Sequence, residues 1–545
     1  MKRAFRYDGK DIDNQISNYT NMGNSAINYM KKYQNRSITE NGAVGYKISR
    51  HSLVDLNFMV SSFRNRDEEF IVEQFIKAYY ESPKYAVKWL FFLRDILEGM
   101  GERRTFRICM KYLAKSHMEI AKAVMELIPE YGRYDDLLVF LNTDLCDDVC
   151  RFLKAQIDSD LLAMGEGRQI SLLAKWLPSI NTSSNEARKC AKLLLNKFGI
   201  SEREYRKILS ALRAYGNVVE VKMSASKWKE IEYDRVPAKA NLKYDAAFAK
   251  HDTERRGEYL FKVFMGEAKL NGKGIMPYEV VHRLLNGKYY YREGLKDDLL
   301  AEMMWKNILE QGFQNDWGLD DCIVVADGSG SMYANASGST SVTAIEICNS
   351  LAIYFAEQLH GIFHNKAITF SARPQFIDLE RGKNLKEKLE IMLAHNEVAN
   401  TNIEAVFDML LDMAVSNEVP AEELPKQVLV ISDMEFDSAC TPDIWCNRNE
   451  KWNKFTPTLF ETIGMRYEKA GYKIPRLIFW NVCGRTDTIP QVDNEEGICL
   501  LSGFSQNAMK IAANREKKDP YESLIEVLDG PRYEKVEKAI ARLVA

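Results

Sequence analysis

From residue 322 onward, short apolar runs alternate with amphipathic stretches, and this alternation predicts strands and helices in turn. The runs at 322–327, about 366–371, 427–433, 475–483 and 497–501 read as strands. Those at 341–359, about 384–394, 403–416 and about 455–470 read as helices. Helix 341–359 sets Ala344, Ile347, Cys348, Leu351, Ala352 and Phe355 on one face, the spacing of an amphipathic helix. The run from Leu477 to Val482 is nearly all apolar, as a strand covered on both faces should be. Strand and helix in alternation predict a mostly parallel, doubly wound α/β sheet. The polar, irregular segment from Asp437 to Asn453 reads as an insertion.

Upstream the pattern changes to helical periodicity. Ile120, Ala123, Val124, Leu127 and Ile128 share a face, as do Tyr205, Ile208, Leu209 and Leu212, while Pro83, Pro129 and Pro178 fall where helices start or stop. Nothing there alternates as a strand should. Many short amphipathic helices over about 300 residues predict an all-α, HEAT-like solenoid of stacked helix pairs, although no clean repeat period is visible. The expected division is a helical domain at 1–316 and an α/β domain at 317–545.

Composition refines this division. At 545 residues the chain is too long for one core, and 46% hydrophobic with 28% charged residues is ordinary for a soluble protein. The N-terminus has no apolar signal-peptide core, and no stretch approaches the ~20 apolar residues of a spanning helix, so a cytoplasmic protein without membrane contact, acting as a monomer, is expected. Ten cysteines occur without C-x-x-C pairs, and Cys146 and Cys150 fit one helix face better than a disulfide or metal, so reduced thiols are expected. The net charge of −3 hides an asymmetry: residues 1–320 carry 51 Lys and Arg against 44 Asp and Glu, whereas the remainder carries 23 against 33. A basic part joined to an acidic one permits a polyanionic partner on the first.

The chemistry concentrates where strand 322–327 runs into Asp327-Gly328-Ser329-Gly330-Ser331. One carboxylate and two hydroxyls on a tight loop suit a hard divalent cation such as Mg²⁺ or Mn²⁺. Helix capping by Asp327 and Ser329 is the alternative reading. Two further positions follow in order: Thr401 at a loop-to-helix junction, and Asp433 at the carboxyl end of strand 427–433, where open α/β sheets bind ligands. Together the three loops resemble the metal-ion-dependent adhesion site (MIDAS) of von Willebrand factor A domains. The resemblance implies that Asp327, Ser329, Ser331, Thr401 and Asp433 hold the metal, which takes a carboxylate from an acidic partner and needs no general base.

Phrases in the helical part carry a second resemblance: the stretches from Leu93 to Arg104, Pro129 to Leu138, Ala174 to Ser179, and Trp228 to Pro237 with the run to Asp252. They look like a family of bacterial, viral and plant proteins known as domain of unknown function 2828, itself similar to the Ro proteins. In Ro proteins a ring of helical repeats, the TROVE module, is closed by a von Willebrand A domain and binds structured and misfolded RNA. The resemblance implies a non-enzymatic ribonucleoprotein function, with a metal-dependent protein-interaction scaffold or chaperone-complex subunit as the alternative.

RNA binding needs cations for phosphates and planes for unpaired bases. Arg103, Arg104 and Arg107 crowd one segment, and Arg206 and Lys207 lie on one helix. Lys227, Lys229, Lys239 and Lys243 are interleaved with Trp228, Tyr233 and Tyr244. Solvated helix faces over core aromatics are the bland reading of each, and Arg94 and Arg133, which adjoin acids, read as structural ion pairs. Catalytic motifs are thin: Asp327 stands where the first glycine of a G-x-S-x-G elbow belongs, and neither a Walker A motif nor an HExxH pair occurs. Asp327 and Asp433 could in principle serve a metal-dependent hydrolase. No catalytic residue is assigned.

Overall fold

A computed structural model describes residues 35–39, 43–285, 294–312, 317, 319, 321–336, 341–370, 374–395, 403–436, 459–484, 489–490, 498–513 and 518–544. The insertion at 437–453 and the helix start at 455–458 lie outside them. From Ser52 to Gly312 the elements are helices and short 3-10 turns. Local chemistry delimits them. Asp67 accepts from Phe70 N to start helix Glu68–Glu81, and Ser82 with Pro83 starts Pro83–Arg94. A reciprocal Ser201–Glu204 box opens Glu202–Tyr215, and Gly199, at φ 68°, closes Asn185–Phe198. Consecutive helices pack as neighbours, Glu68–Glu81 against both Pro83–Arg94 and Arg104–Ser116, and Ala238–His251 against Thr253–Phe264.

The expectation of no strand before 316 is corrected. Residues Arg36–Ile38 (β1) and Val44–Tyr46 (β2) form an antiparallel pair. Three-residue strands are too short to show a period-two pattern, and this pair gains support from the far end of the chain. Thr39 Oγ1 donates to Phe436 O at 2.6 Å, and Tyr46 bridges Ile489.

The sheet domain follows the predicted alternation closely. Its strands are Cys322–Asp327 (β3), Lys366–Phe370 (β4), Gln375–Asp378 (β5), Gln427–Ser432 (β6), Arg476–Asn481 (β7) and Ile498–Ser502 (β8), in spatial order β5-β4-β3-β6-β7-β8. All neighbours are parallel except β4 and β5. The four-residue antiparallel edge β5 was not expected. Helices Ala344–Gln358 and Ile403–Ser416 agree with the periodicity. Alternate residues of the buried β3 face opposite ways: Ile323 and Val325 join one apolar cluster, and Cys322, Val324 and Ala326 join the other. The second cluster is continuous with the core of the helical part.

Packing crosses the boundary at 316–321 in both directions. Helix Ser52–Phe58 lies on β8, and the C-terminal helices Pro520–Leu528 and Glu534–Ile540 lie on Pro83–Arg94. There the buried Lys88 Nζ meets Asp529 at 2.5 Å and Glu537 at 2.6 Å. Arg532 Nε reaches the fully buried Asp95 at 2.7 Å. Helix Ser52–Phe58 and the helices after residue 519 thus each pack on the other part. Among the described residues, no helix is long and apolar enough to cross a membrane, and Cys109, Cys146, Cys150, Cys190, Cys322, Cys348 and Cys499 are free thiols.

Candidate metal centre and basic surfaces

Strands β3 and β6 are neighbours at the centre of the sheet, on either side of the point where strand order reverses. Their carboxyl ends therefore bring two acids from positions 106 residues apart in sequence to one crevice. Asp327, ending β3, is fully buried, and Asp433, just past β6, is 1% exposed. Ser432 Oγ donates to Asp327 Oδ2 at 2.6 Å, and Ser329 N donates to Asp327 Oδ1 at 2.9 Å. The hydroxyls of Ser329 and Ser331 lie 2.9 Å apart. On the third loop Met434 takes φ 64°, its N–H donates to Ser432 Oγ at 2.9 Å, and Glu435 N donates to Asp433 Oδ1 at 3.2 Å. Burial, and after it the negative charge of Asp433, hold the Asp327 carboxyl well above the usual carboxylate range.

The structure brings together Asp327, Ser329, Ser331 and Asp433, while Thr401 lies outside the described residues. The donor set is all oxygen, two carboxylates with two hydroxyls, which fits a hard cation that keeps part of its water shell. A divalent ion would also offset the repulsion that raises Asp327. No cluster of three or more His, Cys, Asp or Glu suited to a metal occurs among the described residues. Sequence reading missed Ser432. A hydroxyl immediately before a strand-end acid was the available signal, but strand alternation alone did not show that its side chain turns back to Asp327.

The basic candidates are dispersed. Arg107 is held by acids, with Nε 2.7 Å from Asp136 Oδ1 and Nη2 2.8 Å from Asp135 Oδ2 without the alignment of a hydrogen bond. Arg103 is exposed and 3.8 Å from Asp135, and Arg104 donates to Phe63 O. Arg206 and Lys207 are exposed on helix Glu202–Tyr215. Lys227 pairs with Glu230 at 3.0 Å and Lys239 with Glu279 at 2.9 Å, whereas Lys229 and Lys243 are exposed, Lys243 lying over Tyr244. Trp228 is half-buried and stacks on His251 with centroids 4.4 Å apart. Tyr233 is withdrawn into the core, stacked on Tyr259 and bonded to Asp252, so it offers no plane for a base. Arg94 is ion-paired to Asp136 as expected, but Arg133 pairs with neither neighbouring acid and lies over Trp176.

Comparison with known proteins gives matches without a described activity. Residues 142–314 match a domain of unknown function, DUF2828, the family to which the motifs of the helical part pointed. Residues 321–541 match another, DUF7788. An uncharacterized protein, L728 of Acanthamoeba polyphaga mimivirus, is 28% identical over 533 residues, covering 91% of this chain and 87% of its own. The crystal structure of the Deinococcus radiodurans RO (RSR) protein overlaps 76% of this chain and 88% of its own, at 13% identity and a TM-score of 0.40.

Proposed function

We propose that the chain is a non-enzymatic RNA-binding protein, in which the sheet domain is a von Willebrand A-like module holding Mg²⁺ or Mn²⁺ and the basic helical part holds RNA. The supporting observation is the meeting of Asp327 and Asp433 beside the Ser329 and Ser331 hydroxyls at the strand switch point. Asp327, Ser329, Ser331 and Asp433, with Thr401, two residues before helix Ile403–Ser416 in sequence, would hold the ion, which would supply an open position for a partner's oxygen. Ser432 orients Asp327, and the strap of Thr39 on Phe436 steadies the third loop. The excess of Lys and Arg before residue 321 supports RNA on the helical side.

Because each part packs on helices of the other, the tests use the full chain. Calorimetric titration with Mg²⁺ and Mn²⁺ should show one site, lost in Asp327→Ala. Equal affinity in parent and variant would remove the metal assignment. Filter binding of single-stranded RNA should weaken with salt by a slope of about −0.7 per phosphate contacted. Binding indifferent to salt, or absent from a chain that binds metal normally, returns the protein to the scaffold reading, in which the metal grips an acidic partner.

A further inference from the structure

Four guanidinium groups converge on two carboxylates where helices Pro83–Arg94 and Arg104–Ser116 meet the turn Tyr134–Asn142. The fully buried Asp136 accepts from Arg94 Nε at 2.8 Å, from Arg107 Nε at 2.7 Å and from the backbone N–H of Arg133 at 3.0 Å. Asp135 is shared between Arg107 and the more distant Arg103. Asp136 is therefore committed, while Asp135 faces Arg107 and Arg103 with its Oδ1 lacking a hydrogen-bond partner. Arg133, two and three residues away in sequence, has no carboxylate within ion-pair distance of its guanidinium among the described residues. It lies instead over the ring of Trp176, 4.3 Å from the centroid.

This arrangement is unlike the other half-buried arginines of the helical part. Arg283 is spanned by Asp245 and Asp298, each at 2.7 Å, and Arg64 is held by Glu102 at 2.6 Å. Arg213 lacks a carboxylate too, but its three nitrogens donate to Ala174 O, Ser179 Oγ and Leu177 O, each at 2.8 Å. Those bonds brace the short helix Leu173–Trp176 and the residues that follow it, as does Tyr205 OH on Pro178 O at 3.0 Å. The indole is thus a fixed plane. Burial, and then the like charge of Arg94, push Arg133 below the ordinary arginine value. A partly desolvated cation beside other cations is unfavourable until an anion completes the set. A guanidinium stacked by one face on an aromatic ring still presents its N–H fork edge-on, the geometry that grips a phosphate through two oxygens.

We propose that Arg133, seated on Trp176 with Arg94 and Arg103 beside it, is a phosphate-binding site, occupied by a backbone phosphate of single-stranded RNA. The choice of occupant rests on the RNA reading above; the phosphate chemistry does not. Phosphate suits the site better than a single carboxylate because three guanidiniums share two acids and that of Arg133 lies beside them with none, leaving two positive charges to be met. The exposed Arg103 offers a second donor to the same group. Arg133 was set aside in the sequence as a structural ion pair because Asp135 and Asp136 follow it so closely. The fold gives those acids to other arginines.

The test compares the full chain with Arg133→Gln, Arg133→Lys and Trp176→Phe. A labelled single-stranded oligoribonucleotide, followed by anisotropy at low salt, should bind Arg133→Gln about tenfold more weakly, with a salt slope shallower by about 0.7, one phosphate contact. Arg133→Lys should keep the slope and recover only part of the affinity, since it keeps the charge and loses the fork. Trp176→Phe should fall between parent and Arg133→Gln. In parallel, inorganic phosphate should raise the melting temperature of the parent, against chloride at equal ionic strength, but not that of Arg133→Gln. A purely structural arginine would lower the melting temperature on removal; here Arg133→Gln should melt at or above the parent in phosphate-free buffer. If RNA binds neither protein while phosphate still stabilises the parent alone, the phosphate site stands and its RNA occupant falls. If phosphate acts equally on both, or Arg133→Gln binds RNA as the parent does, the proposal is overturned.

Discussion

The crevice at the ends of β3 and β6 and the arginine cluster around Asp136 are opposite solutions to one problem. In the first, two buried carboxylates face each other, and the hydrogen bonds to Asp327 come from the neutral Ser329 and Ser432. In the second, three guanidiniums share two carboxylates and a fourth, that of Arg133, has none. Several other buried charges are balanced, as in Asp95 with Arg532 or Asp245 and Asp298 with Arg256 and Arg283. The contrast teaches that local charge imbalance, rather than burial alone, separates places built for a missing ion from places built for rigidity. A balanced buried pair holds the fold. An unbalanced one is expected to loosen it until its counterion arrives.

The largest expected effect tests the balanced side. Arg532→Gln leaves the fully buried Asp95 with Tyr533 and backbone donors, and should lower unfolding stability by about 3 kcal/mol or more, read from urea denaturation of the full chain. A loss no larger than that of a surface substitution would erase the contrast with Arg133.

Next comes the acidic crevice. Ser432→Ala should weaken Mn²⁺ or Mg²⁺ binding by about 10- to 100-fold, the scale for a group that orients a ligand, in a calorimetric titration. Asp327→Asn should abolish binding yet stabilise the metal-free chain near neutral pH. The sign follows from the raised Asp327: above the ordinary carboxylate value of about 4 the folded state holds more protons than the unfolded state, so stability falls as pH rises. The variant's advantage should therefore vanish in melts taken toward pH 4. Persistence of the full advantage there would mean that Asp327 is not under charge strain.

A smaller effect is expected from replacing Lys227, Lys229, Lys239 and Lys243 together by Gln. Each is exposed, so stability should change by no more than roughly 0.5 kcal/mol per site. RNA affinity should fall, chiefly through Lys229 and Lys243, because Lys227 and Lys239 already have acidic partners. An unchanged affinity with an unchanged melt returns them to solvated faces and concentrates RNA binding around Arg103 and Arg133.

The smallest effect tests the seam between the two regions. His282 Nδ1 lies 2.8 Å from the buried Glu346 of helix Ala344–Gln358, and this bond raises the imidazole above its usual value. Its contribution is fully present below about pH 6.5 and is lost as pH rises through the folded value. Melting of the parent should decline slightly over that range and that of His282→Gln should not. Parallel pH curves would remove the link.

Much of the sheet domain was legible because strand and helix periods are local. The run from Cys322 to Asp327 and that from Gln427 to Ser432 announced both the strands and the acids at their ends. The antiparallel edge β5 and the pair β1 and β2 were not legible, since three or four residues show no period. The helical part was legible in kind, through the spacing of residues such as Tyr205, Ile208, Leu209 and Leu212, but not in which cations were spoken for. Tyr233 and Trp228 are five residues apart in one basic stretch, and only packing makes one a core ring and leaves the other half-exposed.

The sequence by itself determined the order of elements, the positions of Asp327 and Asp433 at strand ends and the opposite net charges of the two parts, because periodicity, capping and charge are properties of neighbouring residues. Only the tertiary structure decided that Thr39 would strap Phe436, that Ser432 would turn to Asp327 and that Asp135 and Asp136 would serve Arg94, Arg103 and Arg107 while Arg133 lay on Trp176. The balance of charge at a buried point depends on which groups meet there. Those groups arrive from elements as much as 449 residues apart, as Lys88 and Glu537 do, a separation over which the sequence carries no local signal.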